Sequence, residues 1–161
     1  KGLQSIPDDP VLLFALAQAQ ERNRDFTGAI DTYERLLKRS PDNKLAANNL
    51  AALLADYRND ASGLKRAQEV ISQLEGSAEP AVRDTVGWVH YRAGNVEKAL
   101  SMLKPVVDQA PQVAVFQYHL GMAYYKQGDK HSAKSHLAKA LGANATFPGA
   151  DEARATLTTL R

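Results

Sequence analysis

Apolar side chains recur along this chain at the spacing of one face of an α-helix. The runs from Leu13 to Ala17 and from Ile30 to Leu37 place apolar residues three and four positions apart, as in an amphipathic helix. Polar segments such as RNRD, RAGN and KQGD separate the helical runs. No segment alternates between apolar and polar residues for long enough to indicate a β-strand. The pattern therefore predicts an all-α fold, with at least eight helices in antiparallel pairs, a terminal helix near 148–160 and no sheet.

The helical pattern is itself repeated along the chain. The segment VGWVHYRAGN at 86–95 matches LGMAYYKQGD at 120–129, an offset of 34 residues that is typical of helical repeat proteins. In both segments a glycine, Gly94 or Gly128, stands where a helix C-terminus favours a residue with positive φ. Extending this frame gives four repeats, at 10–43, 44–77, 80–113 and 114–147.

The second repeat fits this frame least well. It has Gly63 where the other repeats have alanine, and Glu75 where two of them have proline. Two extra residues, Ala78 and Glu79, separate it from the third repeat. We therefore expect the connection EGSAEP, residues 75–80, to deviate from the regular turn and to be among the more mobile ones.

Two glycines interrupt predicted helices, although glycine inside a helix costs about 1 kcal/mol relative to alanine. These residues, Gly87 and Gly121, align with each other in the third and fourth repeats. Small residues allow two helices to approach closely. We interpret the glycines as contact points that pack against Ala99 and Ala133 on the second helix of each repeat.

The period, the small residues at fixed positions and the prolines near the ends of repeats, such as Pro41 and Pro111, resemble the tetratricopeptide repeat (TPR). The resemblance implies a right-handed α-solenoid of helix-turn-helix units, forming a single domain over 1–161, and it implies binding rather than catalysis. Residues 148–161 are then expected to form a capping helix. Residues 1–9 are expected to be the tail of a preceding repeat, which makes the chain the C-terminal piece of a longer repeat protein.

The charge and composition exclude several classes of protein. Twenty basic and eighteen acidic residues are interspersed and leave a net charge of +2, so no basic stripe indicates a nucleic-acid partner. No apolar run approaches the length of a membrane span. The chain contains no cysteine, which excludes disulfides and thiolate metal sites.

The sequence contains no recognisable catalytic, cofactor or metal motif. His131 and His136 are five residues apart, so they do not form the i, i+4 pair of a helical zinc site. Adjacent carboxylates, as at Asp151 and Glu152, lie beside predicted helix starts, where negative charge suits the helix dipole. We therefore expect a protein that is not an enzyme and has no cofactor.

The resemblance implies that the first helix of each repeat lines a concave groove through its fifth, ninth, twelfth and thirteenth residues. These positions hold an unusual share of the aromatic residues in the third and fourth repeats. The candidate groove residues there are Asp84, Trp88, Tyr91, Arg92, Tyr118, Met122, Tyr125 and Lys126. The second repeat contributes Asn48, Ala52 and Asp56, and Asn49 is adjacent to the first of these. The first repeat contributes Phe14, Gln18, Glu21 and Arg22.

The aromatic groove residues admit two interpretations. If they are binding anchors, much of the ring surface of Trp88 and Tyr125 should be accessible in the free protein. Alternatively, Trp88 and Tyr91 are packing residues, as aromatic residues at helical spacing often are, and Trp88 fills the seam between the second and third repeats. The sequence does not decide between groove and packing for these two residues.

Co-chaperone TPR proteins bind the C-terminal carboxylate of a peptide through lysine, arginine and asparagine at set groove positions. Those positions hold Phe14, Gln18, Asn49, Ala81 and Thr85 here. Only Asn49 fits, so the sequence does not predict recognition of a chaperone tail.

Two functions remain open. The first is a scaffold that takes a peptide or helix of a partner protein into its groove. The alternative is a spacer, assembly or oligomerisation segment of a larger protein whose ligand site lies in upstream repeats. The segments NNLAALLA, PAVRDTVGW, YHLGMAYYKQGD and FPGADEARATL also resemble the C-terminal repeats of bacterial TPR lipoproteins of exopolysaccharide and PEP-CTERM (exosortase) systems. That resemblance implies a place in the bacterial envelope or periplasm.

Overall fold

The computed structural model describes residues 9–142 and 146–160, and within these ranges the chain forms nine α-helices and no strand. This confirms the predicted all-α helical repeat fold, including the terminal helix. The helices are α1 (Pro10–Arg22), α2 (Phe26–Arg39), α3 (Lys44–Tyr57), α4 (Ala61–Ile71), α5 (Pro80–Arg92), α6 (Val96–Gln109), α7 (Ala114–Gln127), α8 (Lys130–Leu141) and α9 (Ala150–Thr159). Except for Asp9, the predicted tail of a preceding repeat lies outside the described residues.

Short polar side chains fix where many of the helices begin. Asp9, Asp25, Asn43, Asp60 and Asp129 each immediately precede a helix and accept a hydrogen bond from a backbone N–H in its first turn. Such a bond satisfies an amide that has no acceptor within the helix. The polar breaks seen in the sequence are therefore caps as well as turns.

The chain divides into two compact units between Gly76 and Ser77. In the N-terminal unit α1 pairs with α2 and α3 with α4, and α2 also packs against α3. In the C-terminal unit α5 pairs with α6 and α7 with α8, while α9 packs on α8 and α7. Each unit thus contains two helix hairpins, and the C-terminal unit adds the terminal helix.

The connection between α4 and α5 differs from the other connections between repeats. Helix α4 ends at Ile71, so residues 72–79 join it to α5, whereas residues 40–43 and 110–113 suffice elsewhere. The deviation expected at residues 75–80 is therefore confirmed. Its mobility remains a prediction.

The glycines inside helices allow close contact, but their partners differ from those expected. A Cβ atom built on Gly87 would lie 2.7 Å from Cγ of Leu103, and one on Gly121 would lie 2.8 Å from Cγ of Leu137. The nearest atoms belong to these leucines and not to Ala99 and Ala133, which were the expected contacts. The reason is that these leucines, each fully buried on the second helix of its repeat, fill the space that the missing side chain leaves.

Candidate functional site

An aromatic layer lies between α5 and α7 in the C-terminal unit. Trp88 stacks on Tyr91 of its own helix at a ring-centroid distance of 4.6 Å and on His119 of α7 at 4.0 Å. Tyr118 meets the same indole ring at 5.3 Å in a tilted arrangement. These four rings form what we call the aromatic layer. Trp88 and Tyr91 are three residues apart and therefore share one side of α5. Tyr118 and His119 are adjacent on α7, and both of their rings meet the ring of Trp88.

The aromatic layer is buried. The exposed fraction is 2% for Trp88 and for Tyr118, and Tyr91 and His119 are also buried. The expectation that the ring of Trp88 would be accessible is therefore wrong, and Trp88 and Tyr91 are packing residues. The rings around Trp88 belong to the third and fourth repeats, whereas the expected seam was the one between the second and third. The physical reason is that α5 and α7 contact each other directly, so rings on their facing sides are enclosed between them.

A buried hydrogen bond accompanies the layer. Asp84, which the sequence placed in the groove, accepts a hydrogen bond of 2.8 Å on Oδ2 from Nδ1 of His119. Both residues are buried, as is Met122, another groove candidate. Asp84 and Met122 thus belong to the packed part of this face. Among the described residues, no group of three or more His, Asp or Glu is placed to hold a metal ion.

Two cations lie on the rings of the layer. The guanidinium carbon of Arg92 is 4.8 Å from the centroid of Trp88, and Nζ of Lys126 is 4.9 Å from that of Tyr91. Lys126 also donates a hydrogen bond of 3.2 Å to the carbonyl oxygen of Tyr91. These contacts hold each cation over a ring face, where the ring quadrupole attracts it.

The terminal helix supplies a carboxylate to the same face. Tyr118 donates a hydrogen bond of 2.6 Å from its hydroxyl to Oε2 of Glu152, and Nη2 of Arg92 lies 3.9 Å from the same oxygen. Burial, followed by the negative charge of Glu152, raises the pKa of Tyr91 to about 12. Sequence reasoning missed this role, because Glu152 was interpreted as a helix-start charge. Its place 34 residues after Tyr118 was the available signal.

Beside the buried layer, part of this face remains accessible. Tyr125 is 39% exposed, and its hydroxyl lies 3.4 Å from Oγ1 of Thr159 on α9. Lys126 is exposed, and Arg92 is half-buried. We call the set Arg92, Tyr125, Lys126 and Glu152 the rim. Of the eight groove candidates in this unit, only the three that belong to the rim offer surface to a partner.

In the N-terminal unit the candidate residues form a polar network. The hydroxyl of Tyr33 donates a hydrogen bond of 2.6 Å to Oε1 of Glu21 and accepts one of 2.9 Å from Nδ2 of Asn49. Asn48 donates a long hydrogen bond, 3.5 Å, to Oδ1 of Asn49. Burial, and then the hydrogen bond to Glu21, raises the pKa of Tyr33 above its usual range. Asn48 and Asn49 are half-buried, so part of each stays available.

This architecture of paired helices with small residues at the contacts defines an all-α helical repeat protein. A model of the tetratricopeptide repeat matches residues 10–53, and a second model of the same repeat matches residues 90–157. The chain is therefore a tetratricopeptide-repeat protein over both segments.

Two curated relatives are much longer than this chain. A TPR repeat-containing protein of Pseudomonas aeruginosa is 30% identical over 121 residues, which are 75% of this chain and 20% of the relative. Human protein IFIT1 homolog B is 26% identical over 137 residues, covering 79% of this chain and 28% of that protein. The chain thus spans less than a third of the length of either relative.

Solved structures show the same fold at low sequence identity. A thermophilic TPR protein of Thermus thermophilus superposes with a TM-score of 0.70 and 21% identity, covering 98% of this chain and 84% of that one. MamA of Desulfovibrio magneticus, from residue 41 to its end, gives a TM-score of 0.69 at 20% identity, with 86% and 77% covered. Within the described residues, no helix is long and apolar enough to cross a membrane.

Proposed function

We propose that this chain is a non-enzymatic scaffold that binds a peptide or helix of a partner protein on the faces lined by its first helices. Tetratricopeptide repeats over both matched segments support a role in protein interaction. In the N-terminal unit, the face would contact the partner through Asn48 and Asn49. In the C-terminal unit it would do so through the rim, with the aromatic layer as a rigid support.

The observation that carries this proposal is the exposure of Tyr125 beside Lys126. Large aromatic side chains with a polar tip are favoured at interfaces, because they bury a large area and lose little conformational entropy. Internal contacts already bury the rings of Trp88, Tyr91 and Tyr118. Tyr125 is therefore the aromatic residue of this face that a partner can reach.

A pull-down with matched tyrosine variants tests the proposal. Tyr57 is 43% exposed on α3 and serves as the control, because it resembles Tyr125 in type and exposure. We expect Tyr125→Ala to weaken partner capture from a native extract by a free energy of about 2 kcal/mol or more, as at an interface hot spot. Tyr57→Ala should leave capture unchanged. Equal capture by both variants and the wild type would contradict the proposal.

A second function is favoured by an apolar edge of the N-terminal unit. Val11 and Leu45, at the starts of α1 and α3, are 75% and 67% exposed, and together with Phe14 they line a shared depression. Such an edge suits the alternative in which the chain is an assembly or oligomerisation segment. Sedimentation velocity measures whether the chain self-associates and whether Leu45→Ser abolishes that association. Self-association lost in Leu45→Ser, together with a pull-down in which partner capture does not depend on Tyr125, would support this alternative over the scaffold.

An envelope location, which the lipoprotein resemblance implies, is part of the proposed function. Fractionation of source cells with an antibody against the chain tests it. Recovery in the periplasmic or membrane fraction would support the resemblance, and recovery with cytoplasmic markers would contradict it.

A further inference from the structure

The two cations of the rim occupy equivalent places in successive repeats. Arg92 and Lys126 are 34 residues apart, and each lies over an aromatic ring of the buried layer. A long basic side chain normally loses rotamer freedom when it binds a partner. Here the ring contacts, and the bond from Lys126 to the carbonyl of Tyr91, already restrict both side chains. The cations are therefore preorganised for an anionic group.

The internal contacts of the rim identify the kind of anion that it accepts. Oε2 of Glu152 lies 3.9 Å from Nη2 of Arg92 and accepts the hydroxyl hydrogen of Tyr118. A carboxylate is thus already accommodated at one of the two cations. Lys126 is exposed, and it forms no ion pair with any residue in the described part of the chain. The second cation thus also lies over a ring, and no carboxylate in the described part of the chain pairs with it.

We infer that the rim binds an acidic segment of a partner protein, with a carboxylate of the segment at Lys126 and an adjacent side chain against the ring of Tyr125. This inference rests on the proposed function, since it names the chemistry of the partner at the same site. A side-chain carboxylate is the anion proposed because the structure already places one, that of Glu152, beside the equivalent cation Arg92.

Fluorescence anisotropy with defined peptides tests the inference. The probe is a fluorescein-labelled peptide in which Asp and Glu alternate with Gly and Tyr, and its comparison is the same peptide with Asn and Gln. We expect the acidic peptide to bind the wild type more tightly than its amide counterpart, and to bind less tightly as salt is raised to about 0.5 M. Lys126→Glu should weaken its binding by about fivefold or more.

Two variants control for general charge effects. Lys126→Arg keeps a cation that a ring face also attracts, and it should retain binding to within about twofold. Lys134→Glu makes the same charge change at an exposed residue of α8 in the same unit, and it should also retain binding. Equal weakening by Lys126→Glu and Lys134→Glu would overturn the inference. So would equal binding of the two peptides, or a preference for labelled oligothymidylate over the acidic peptide.

The pull-down separates this inference from the proposed function. If a partner is captured through Tyr125 but its capture is unaffected by Lys126→Glu, the acidic character of the partner is refuted while the scaffold function stands. If Tyr125→Ala and Lys126→Glu both leave capture at the wild-type level, both proposals fail.

Discussion

At the level of single residues, the turn between the first and second helices of a repeat can be made with or without glycine. Gly94 and Gly128 adopt φ values of 87° and 93°, and Arg24, at the equivalent position of the first repeat, adopts 60°. A residue with a Cβ atom pays a steric cost in this region, whereas glycine does not. The first repeat therefore uses the same turn at a higher conformational cost.

We predict that Gly128→Ala lowers the free energy of unfolding by about 1 kcal/mol, through backbone strain alone. No atom lies within 4 Å of the Cβ that alanine would add, so packing does not contribute. Gly76→Ala is the control, because its Cβ would also lie in open space and its φ is outside the left-handed region. Urea unfolding of both variants checks this, and equal stabilities would show that the turn tolerates a side chain.

At the level of helices, the repeat period was sufficient to predict the elements but not the surroundings of each side chain. Helix positions follow from apolar spacing and polar breaks, which are local features of the sequence. The burial of Trp88 depends on how closely α5 and α7 approach, and no local pattern reports that distance. Glu152 was misinterpreted for a related reason. The helix dipole alone explains a carboxylate in the first turn of a helix, so the sequence did not indicate that Glu152 also binds Tyr118.

We predict that Trp88→Ala lowers the free energy of unfolding by about 3–5 kcal/mol, because it opens a cavity in the aromatic layer. Tyr125→Ala should cost less than about 1 kcal/mol, since it truncates a partly exposed side chain. Circular dichroism is the suitable measurement, because the first variant removes the only tryptophan. A similar loss of unfolding free energy in the two variants would mean that Tyr125 is also a packing residue, and that its exposed surface is less available to a partner than its exposed fraction indicates.

At the level of the whole molecule, several groups make stability depend on pH in the same direction. Burial, reinforced by the positive charge of Lys139, lowers the pKa of His136 below its usual 6.5, despite the opposing charges of Asp108 and Asp129. Its Nδ1 donates to Oε1 of Gln117, and its ring stacks on Tyr124. Below pH 6.5 the unfolded chain therefore binds more protons at this site than the folded one, and the site favours unfolding.

We predict that the free energy of unfolding of the wild type falls as the pH decreases through about 6.5, and that His136→Gln reduces this loss. His131→Gln, a change at an exposed residue of the same helix, should keep the wild-type dependence. Urea unfolding at a series of pH values provides the measurement. A profile for His136→Gln that parallels the wild type would mean that His136 titrates alike in the folded and unfolded states.

A further decline is expected at lower pH, where hydrogen bonds from Ser62 and Ser132 hold the pKa values of Asp60 and Asp129 below their usual 3.8. These carboxylates stabilise the fold above that value, and their contribution is lost as the pH falls through the folded-state pKa values.

The connection between the two compact units is where we expect the backbone to open most readily. In the regular connection at 40–43, the amide of Ser40 donates to Leu36 and that of Asn43 donates to Ser40. In the connection at 75–80, the amide of Glu79 donates only to the side chain of Ser77, at an exposed site. The amides of residues 76–78 have no backbone acceptor within the described ranges. Weakly bonded, exposed amides exchange through low-energy local opening.

We therefore predict that amides at residues 76–79 exchange with solvent faster than those of Ser40 and Asn43, after correction for intrinsic rates. Exchange followed by NMR at single residues is required, because the compared segments are short and the regular one contains Pro41, which has no amide hydrogen. Amides in the middle of α3 and α7 provide the protected reference. Equal or slower exchange at 76–79 would mean that the irregular connection is as stable as a regular turn, and that the loss of the repeat pattern there does not create a weak point in the array.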